Sequence, residues 1–262
     1  MEFPVTEARG QFSSKLGFIL AAAGSAVGLG NVVAFPVMAS KNGGAAFLII
    51  YLFFIAFICY PVMMAEIAMG RQTNRNPVGA FSQLSNGHRG WRLAGALAIV
   101  TPFMIAVFYT VITVWLVVYI KEIAIGRLDV LSNQSTFGDV VARPSLFGYL
   151  FGLLCLIFFI LLGGVKGGIE RLARILMPTL ALMLVSLTLF VLTLDNAIAG
   201  IRYYLVPDFT RMNLSVINGA LSQAFFSLSL GMGILVTYGS YFNRQDNIPQ
   251  STRMVAVADT SI

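Results

Sequence analysis

Ala23-Gly24-Ser25-Ala26-Val27-Gly28-Leu29-Gly30-Asn31 lies in the middle of an apolar run and decides how the rest of the chain folds. Each glycine lowers helix propensity by about 1 kcal/mol relative to alanine, so three of them predict a break in an otherwise continuous helix. If the run crosses a bilayer, the broken turn leaves N–H and C=O groups that lipid cannot satisfy. The stretch therefore predicts a bound ligand or an enclosing protein surface at the break.

The composition excludes an ordinary soluble domain. The chain has 262 residues, of which 58% are hydrophobic and 11% charged, and its mean hydropathy is +0.84. Soluble domains carry about 25% charged residues, so this is an integral membrane protein. The net charge of +6 comes from basic residues between apolar runs, which fits membrane topology and no nucleic-acid partner. Cys59 and Cys155 lie within apolar runs and predict packing, not a disulfide or zinc site.

Uncharged runs long enough to cross about 30 Å of hydrocarbon predict six membrane-spanning helices. They cover residues 16–40, 42–65, 93–120, 144–165, 175–194 and 212–243. A further apolar run begins at residue 254 and is too short to span a membrane. A cytoplasmic N-terminus puts the larger share of the 17 Lys and Arg residues inside, so we expect a multi-pass protein of the cell inner (plasma) membrane in that orientation.

A second unusual stretch, Phe225-Phe226-Ser227-Leu228-Ser229-Leu230-Gly231-Met232-Gly233, puts small and hydroxyl residues in the middle of the sixth run. Interrupted helices at corresponding positions of two halves indicate a transporter's binding site. The pattern predicts a cytoplasmic segment over residues 1–15, a five-helix repeat over 16–194, and an outer loop, a sixth helix and a truncated seventh over 195–262.

Two other interpretations compete with this one. Gly24 and Gly28 also fit a small-xxx-small helix contact, but such a contact requires neither Asn31, nor Pro36, nor a second break near Gly231. A channel or receptor-like bundle would need a continuous polar lining, whereas the polar residues here form two mid-membrane patches. An enzyme is disfavoured because no span carries a His, Cys or carboxylate cluster.

The chain resembles the neurotransmitter:sodium symporter family, of the prokaryotic amino-acid type, in motifs that follow the family's order and spacing. The motifs are Gly24-Ser-Ala-Val-Gly-Leu-Gly-Asn31 with Phe35-Pro36, Asn42-Gly-Gly-Ala-Ala-Phe47, Glu66-Ile-Ala-Met-Gly-Arg71, Phe108-Tyr109 with Trp115, Gly167-Gly-Ile-Glu170, and Gln223-Ala-Phe-Phe-Ser-Leu-Ser-Leu-Gly231. The resemblance implies the all-α leucine-transporter fold, with two inverted five-helix repeats and with helices one and six broken. It also implies that this chain is the N-terminal half of such a transporter.

The resemblance implies sodium-coupled symport of a neutral, apolar or aromatic amino acid by the complete protein, which is a secondary active transporter. The implied substrate site is Ser25, Ala26, Val27, Gly28, Leu29, Gly30, Ile105, Tyr109, Phe226, Ser227, Ser229 and Met232. The substrate carboxylate would meet the N–H groups after Gly28 and the Tyr109 hydroxyl, since a helix N-terminus favours an anion. Tyr109 also fits a bundle tyrosine paired with a neighbouring carbonyl. Ser25 stands where monoamine carriers have an aspartate, which favours an amino acid.

The resemblance also implies ion sites. The first sodium site would use Ala26, Asn31, Ser227 and Asp259, and an acid within a span is a functional candidate by default. The second would use the carbonyls of Gly24 and Val27, with hydroxyl ligands from an eighth helix. Three residues, Tyr51, Gln223 and Ser227, match chloride ligands of animal relatives and leave chloride dependence open.

The implied gating residues are Arg9, Phe12, Glu66, Gly168, Pro178 and Tyr241. Glu66 would stabilise unwound backbone near the first helix, or it would extend its charge to the interface. Gly168 and Pro178 fit a fifth-helix segment that unwinds, or an ordinary proline kink. Ala34 departs from the arginine that relatives carry before Phe35-Pro36. The remaining alternatives are an incomplete fragment that does not transport, a chain completed by a second polypeptide, and a helical membrane bundle without coupled transport.

Overall fold

The first membrane helix is broken where its glycines predict. The computed structural model describes residues 15–127, 136–242 and 246–262, which form helices, turns and loops with no strand. Helix α1 spans Lys15–Ala26, a π-helical turn spans Gly30–Ala34, and α2 spans Phe35–Lys41. The helix axes on either side of residues 27–29 differ by 49°. Pro36, the second residue of α2, has no N–H to donate to the π-helical turn that directly precedes it.

The second membrane helix is one long, slightly irregular rod. Helix α3 (Ala45–Phe54) continues through a π-helical segment (Ile55–Cys59) into α4 (Tyr60–Thr73), so that 29 residues form one apolar element. Asn74 ends α4 in a left-handed conformation, and the Asn76 side chain caps the short helix α5 (Pro77–Leu84).

The middle of the chain forms two further long helices. Helix α6 spans Arg89–Ala124 and carries Pro102 in its interior. After α7 (Thr136–Val141), α8 (Leu146–Leu162) leads into a π-helix (Gly164–Glu170), which continues as α9 (Arg171–Val191). Charged residues that interrupt the apolar pattern, such as Lys166 and Glu170, lie within this continuous element. The predicted fifth helix is therefore longer than its uncharged run.

The sixth helix is also broken. A connecting segment holds α10 (Ala197–Leu205) and a 3₁₀ turn (Phe209–Arg211), and then α11 spans Leu214–Ser227. Residues 228–233 are non-helical, and α12 spans Ile234–Gly239. The last described helix, α13, spans Ile248–Thr260.

Three described helical elements are long and apolar enough to cross a membrane, namely Ala45–Thr73, Arg89–Ala124 and Gly164–Val191. The bent pair formed by residues 17–26 and 30–41 makes a fourth. The predicted fourth span is the apolar helix Leu146–Leu162, which is shorter than the others. The sixth prediction covers α11 and α12, which the break separates. Many large apolar side chains of α6, α8 and α9 are exposed on the protein surface, as expected of a membrane protein.

The buried core lies where the two broken helices meet the second helix. Helix α11 packs on α3, α12 packs on α4, and α1 packs on both α9 and α13. Gly70 and Gly239 bring α4 and α12 into main-chain contact, because a Cβ on Gly70 would overlap the Val236 carbonyl and one on Gly239 would overlap the Ile67 carbonyl. Close backbone approach at small residues is how helices associate in membranes. The division into repeats at residue 194 stays a prediction.

Candidate functional site

The two helix breaks lie against each other. The Gln223 amide on α11 donates to the Gly30 carbonyl at 3.2 Å, and the Ser229 hydroxyl lies 3.5 Å from the Ser25 carbonyl. The Ser25 carbonyl lies at the end of α1, and the Gly30 carbonyl also accepts from the Phe35 N–H at the end of the π-helical turn. Each break thus supplies polar partners to the other, as backbone at membrane depth requires.

Backbone and side-chain atoms pack closely around the break in the first helix. The Gly28 carbonyl accepts from the N–H groups of Asn31 and Val32 at 3.1 and 3.2 Å, which turns the chain into the π-helical segment. Gly30 lies so close to α11 that a Cβ there would be 3.0 Å from the Phe226 ring. A side chain at position 30 would therefore press on the Phe226 ring, and glycine avoids this contact.

The second break depends on left-handed backbone. Ser229, Gly231 and Gly233 have φ values of 55°, 74° and 65°. Glycine adopts such values without steric strain, whereas other residues do so at a cost. The backbone conformation therefore explains the two glycines of this stretch.

A cavity of about 200 Å³ lies between the two breaks and α6. Eight of the residues predicted for the substrate site line this cavity, namely Ser25, Ala26, Gly28, Ile105, Tyr109, Phe226, Ser229 and Met232. Ligand pockets for drug-sized molecules hold roughly 300–1,000 Å³, so a smaller molecule suits this one. Its wall is mostly apolar, with polar groups at Ser25, Tyr109 and Ser229. The Tyr109 side chain lies beside the first break, since a Cβ on Gly28 would be 3.8 Å from Tyr109 Cε2 and one on Gly30 would be 4.0 Å from the Tyr109 hydroxyl oxygen.

Residues that sequence reasoning missed also line this cavity, namely Pro102, Ala106 and Ile234. Pro102, Ile105, Ala106 and Tyr109 follow the spacing of one helical face, so the two predicted members of α6 could have indicated the other two. Ile234 begins α12 directly after the break.

Four residues predicted for the substrate site do not line the cavity, namely Val27, Leu29, Gly30 and Ser227. The Val27 side chain is buried with Ala23 and Met177 and lines a separate cavity of about 490 Å³ against α9. The 49° bend follows α1 directly, so Val27 continues the face of α1 that packs on α9. Ser227 belongs instead to a polar cluster on the other side of the first break.

Three buried polar side chains, Asn31, Ser227 and Asp259, converge in this polar cluster. Asn31 Nδ2 donates to Asp259 Oδ1 at 2.8 Å and to Ser227 Oγ at 3.3 Å, while Ser227 Oγ donates to Asp259 Oδ2 at 2.8 Å. Asp259 is 1% exposed. Asn31 Oδ1 accepts from the Gly28 N–H at 3.3 Å. The cluster thus links the first break, α11 and α13 through oxygen-rich groups.

Two neighbours extend the cluster. Tyr51 on α3 is buried in the same core as α11, and Gln223 lies one helical turn before Ser227 on α11. Within residues 15–127, 136–242 and 246–262, no three His, Cys, Asp or Glu side chains are grouped as ligands for a metal ion. A hard cation here would therefore be bound by hydroxyl, amide and carbonyl oxygens around a single carboxylate.

The residues of the predicted second sodium site lie beside α9. A Cβ on Gly24 would be 3.4 Å from Met177 Sδ, and both Gly24 and Val27 line the 490 Å³ cavity. Their role as sodium ligands stays a prediction.

The Glu66 carboxylate hydrogen-bonds the broken backbone of the sixth helix, whereas the prediction named the first helix. Its Oε1 accepts from the Gly231 N–H at 2.7 Å, and the side chain is 9% exposed, so it does not extend to solvent. The prediction named unwound backbone near the first helix. The left-handed Gly231 in the sixth helix is the actual partner, because that conformation turns its N–H out of the helix.

The sequence matches the model of the sodium:neurotransmitter symporter family over residues 9–139 and 136–262. The chain belongs to this family. It is 36% identical to "Uncharacterized sodium-dependent transporter YhdH" of Bacillus subtilis over 94% of this chain and 55% of that protein. It is 36% identical to "Uncharacterized sodium-dependent transporter MJ1319" of Methanocaldococcus jannaschii over 92% of this chain and 51% of that protein.

A solved structure has the same fold. The crystal structure of MhsT in complex with L-phenylalanine superposes with a TM-score of 0.85 at 41% identity, and covers 97% of this chain and 58% of that one. The all-α fold with broken first and sixth helices is therefore confirmed. The chain spans about half the length of the curated relatives it matches.

The predicted gating residues of this family member are only partly described. Arg9 and Phe12 lie outside the described residues. Tyr241 lies just after α12, where its N–H donates to the Tyr238 carbonyl at 3.0 Å. Gly168 lies inside the π-helix and Pro178 inside α9. A Cβ on Gly168 would overlap the Ile160 carbonyl, so α8 and the π-helix are in main-chain contact there.

Proposed function

We propose that this chain forms the amino-acid site and the first sodium site of a sodium-coupled symporter. One observation carries the proposal: an apolar cavity and a buried oxygen cluster lie on two sides of the same helix break. Gly28 lines the cavity, and its N–H bonds Asn31 of the cluster. Contact between the two sites is a direct way for the occupancy of one to change the affinity of the other.

The substrate we infer is a neutral amino acid with an apolar or aromatic side chain. Its carboxylate would meet the N–H groups after Gly28 and the Tyr109 hydroxyl, at the positive end of a half-helix. Its side chain would contact Ile105, Phe226 and Met232. The bound L-phenylalanine of MhsT is a ligand of this class. The flexible thioether of Met232 would adapt to branched or aromatic side chains.

Sodium is proposed as the co-transported ion of the cluster. Ser227 and Asp259 would supply oxygens, together with the Ala26 carbonyl, and the Asn31 amide would turn its Oδ1 from the Gly28 N–H toward the ion. These donors fit the ion, because Na⁺ prefers oxygen ligands and one carboxylate balances one positive charge. A second ion beside Gly24 and Val27 would need ligands from the remaining part of a complete transporter.

We place the protein in the cell inner (plasma) membrane with the N-terminus in the cytoplasm, because of the distribution of Lys and Arg between its loops. The complete protein would be a secondary active transporter. It would move one repeat against the other around the shared site, which the second half of the fold would complete.

The test is equilibrium binding of radiolabelled L-phenylalanine and L-leucine to the purified chain in nanodiscs, with sodium chloride or choline chloride. Sodium should tighten binding by about tenfold or more, which corresponds to about 1.4 kcal/mol of coupling. Equal affinity in both salts would contradict the proposal.

Variants separate the two sites. Asp259→Ala should raise the sodium concentration for half-maximal binding by about tenfold, since it removes a charged ligand. Asp259→Asn retains an oxygen and should have a smaller effect. Asp195→Asn, on an exposed loop residue, is the matched control and should bind as the parent does.

A further inference from the structure

The Asn31 side chain joins the buried oxygen cluster to the amino-acid cavity, and its two ends make different hydrogen bonds. Its Nδ2 donates to Asp259 Oδ1 at 2.8 Å, and to the Asp259 carbonyl and Ser227 Oγ at 3.3 Å each. Its Oδ1 accepts from the Gly28 N–H at 3.3 Å. The donor end of this buried amide therefore faces the cluster, and the acceptor end faces backbone that lines the cavity.

The partners on both sides fix this orientation of the amide. An asparagine amide has two N–H donors at one end and an acceptor oxygen at the other. Turning it over would place Oδ1 against two oxygens of Asp259 and Nδ2 against the Gly28 N–H, so that like groups would face each other. The turned orientation becomes favourable only when the partners on both sides change together.

A cation beside Asp259 changes the partners on the cluster side. Sodium, the ion proposed for this cluster, binds oxygens and is repelled by the N–H groups of an amide. The Asp259 and Ser227 oxygens that accept from Nδ2 would bind the ion instead. Asn31 would then contribute to the ion only through Oδ1, which requires its amide to turn about the Cβ–Cγ bond.

The same rotation releases the Gly28 N–H on the cavity side. Asn31 Oδ1 is the only acceptor of this N–H within residues 15–127, 136–242 and 246–262. A donor that loses its acceptor away from water costs free energy until another group accepts from it. Gly28 lines the cavity, where the carboxylate of an amino acid would be such an acceptor. Hydrogen bonds to an ionised group are also stronger than those between neutral groups.

We propose that Asn31 is a positioning residue that couples the two sites by rotation of its side-chain amide. In one orientation Oδ1 holds the Gly28 N–H. In the other Oδ1 faces the ion, and the Gly28 N–H is available to the carboxylate of the amino acid. The inference rests on the proposed function, because it assigns the link between the two proposed sites. Linkage requires that the amino acid tighten sodium binding by the same factor as sodium tightens amino-acid binding.

The Gly28 amide can be observed together with one internal control. Val27-Gly28 and Val78-Gly79 are the two Val-Gly pairs of the chain. Carbonyl-¹³C valine and ¹⁵N glycine therefore select these two amides in carbon-filtered NMR spectra of the full chain in nanodiscs. The Gly79 N–H also donates to an asparagine side chain, Asn76 Oδ1, at 2.8 Å, and it lies on α5.

Sodium chloride in place of choline chloride should move the Gly28 proton signal upfield, as expected of a lost hydrogen bond, and leave the Gly79 signal unchanged. L-phenylalanine added with sodium should move the Gly28 signal back downfield, because the carboxylate replaces Asn31 Oδ1 as acceptor. Phenylethylamine, which has the same ring and amine but no carboxylate, should not do so. This comparison needs no variant of the protein.

Two alanine variants complete the test. Asn76→Ala removes the side-chain acceptor of Gly79 and calibrates the upfield movement that such a loss produces. Asn31→Ala should place the Gly28 signal upfield in both salts. It should also bind L-phenylalanine about fivefold more tightly than the parent in choline chloride, because the Gly28 N–H is free before the amino acid binds. A residue that only bound the ion or supported the fold would give no such gain.

The rotation is wrong if sodium leaves the Gly28 signal of the parent unchanged, if it moves the Gly28 and Gly79 signals equally, or if folded Asn31→Ala fails to bind L-phenylalanine more tightly in choline chloride. Equilibrium binding separates these outcomes from failure of the proposed function. Sodium-dependent binding with an unchanged Gly28 signal would contradict the rotation alone. Sodium-independent binding with a sodium-shifted Gly28 signal would contradict the transport proposal alone.

Discussion

The two helix breaks face one cavity, but different physical effects produce them. In the first, neither Gly28 nor Gly30 has a positive φ, and Gly30 is needed because α11 approaches closely. In the second, Ser229, Gly231 and Gly233 are all left-handed. Similar glycine-rich patterns thus serve close packing in one helix and backbone conformation in the other. The glycine substitutions below should separate these two requirements.

The largest effect is expected for Gly233→Ala. Its φ is 65°, and a Cβ would also lie 2.5 Å from Pro77 Cγ and 3.2 Å from the Ala98 carbonyl. Left-handed strain and overpacking together should lower stability by about 3 kcal/mol. Thermal unfolding in nanodiscs measures the change. Gly200→Ala, in open space on α10, is the control and should unfold within about 0.5 kcal/mol of the parent.

Glu66→Ala comes next. It removes the acceptor of the Gly231 N–H, and a partly buried hydrogen bond to a carboxylate should contribute about 2 kcal/mol. Glu66→Gln retains an acceptor oxygen and should lose less. Equal losses in the two variants would show that charge, and not the hydrogen bond to the second break, is what Glu66 contributes. The same unfolding measurement applies.

Gly231→Ala isolates conformation from packing. Its φ is 74°, but no neighbouring atom lies within 4 Å of the position that the added methyl group would take, and the N–H to Glu66 is retained. Strain alone should lower stability by about 1 kcal/mol in the same unfolding measurement. If Gly231→Ala were as damaging as Gly233→Ala, the contacts of Gly233 with Pro77 and Ala98 would be unimportant.

The smallest effect is expected for Gly28→Ala. Its nearest neighbour would be Tyr109 Cε2 at 3.8 Å, an ordinary contact, so stability should change by less than about 0.5 kcal/mol. Gly30→Ala is the matched partner in the same break and should be less stable, because the Phe226 ring must move. Equal stability of the two variants would contradict close packing as the reason for a glycine at position 30.

The predicted ends of the membrane spans were placed at charged residues, and this made two of the spans too short. The uncharged run of the second helix ends before Glu66, and that of the fifth begins after Arg174. Both helices continue through these charges, since Glu66 bonds Gly231 and Glu170 pairs with Arg174. A pattern of uncharged residues cannot show that a charge will be compensated by a distant partner.

The site predictions were limited because the direction in which a side chain points follows from the sequence only inside a regular helix. The spacing on α6 contained the information for Pro102 and Ala106, because residues of one helical face line one surface. No such rule applies to Val27, which lies where helix geometry ends. The bend at residues 27–29 decides which way its side chain points.

The sequence by itself determined the membrane class, the two breaks and the family, because hydrophobic length, glycine positions and motif order are properties of the linear chain. Only the tertiary structure decided that the first break is a close-packed contact and the second a left-handed turn. It also decided that Asn31, Ser227 and Asp259 share hydrogen bonds, and that Glu170 faces Gly17. These outcomes depend on distances between residues far apart in the chain, which are set only when the helices pack.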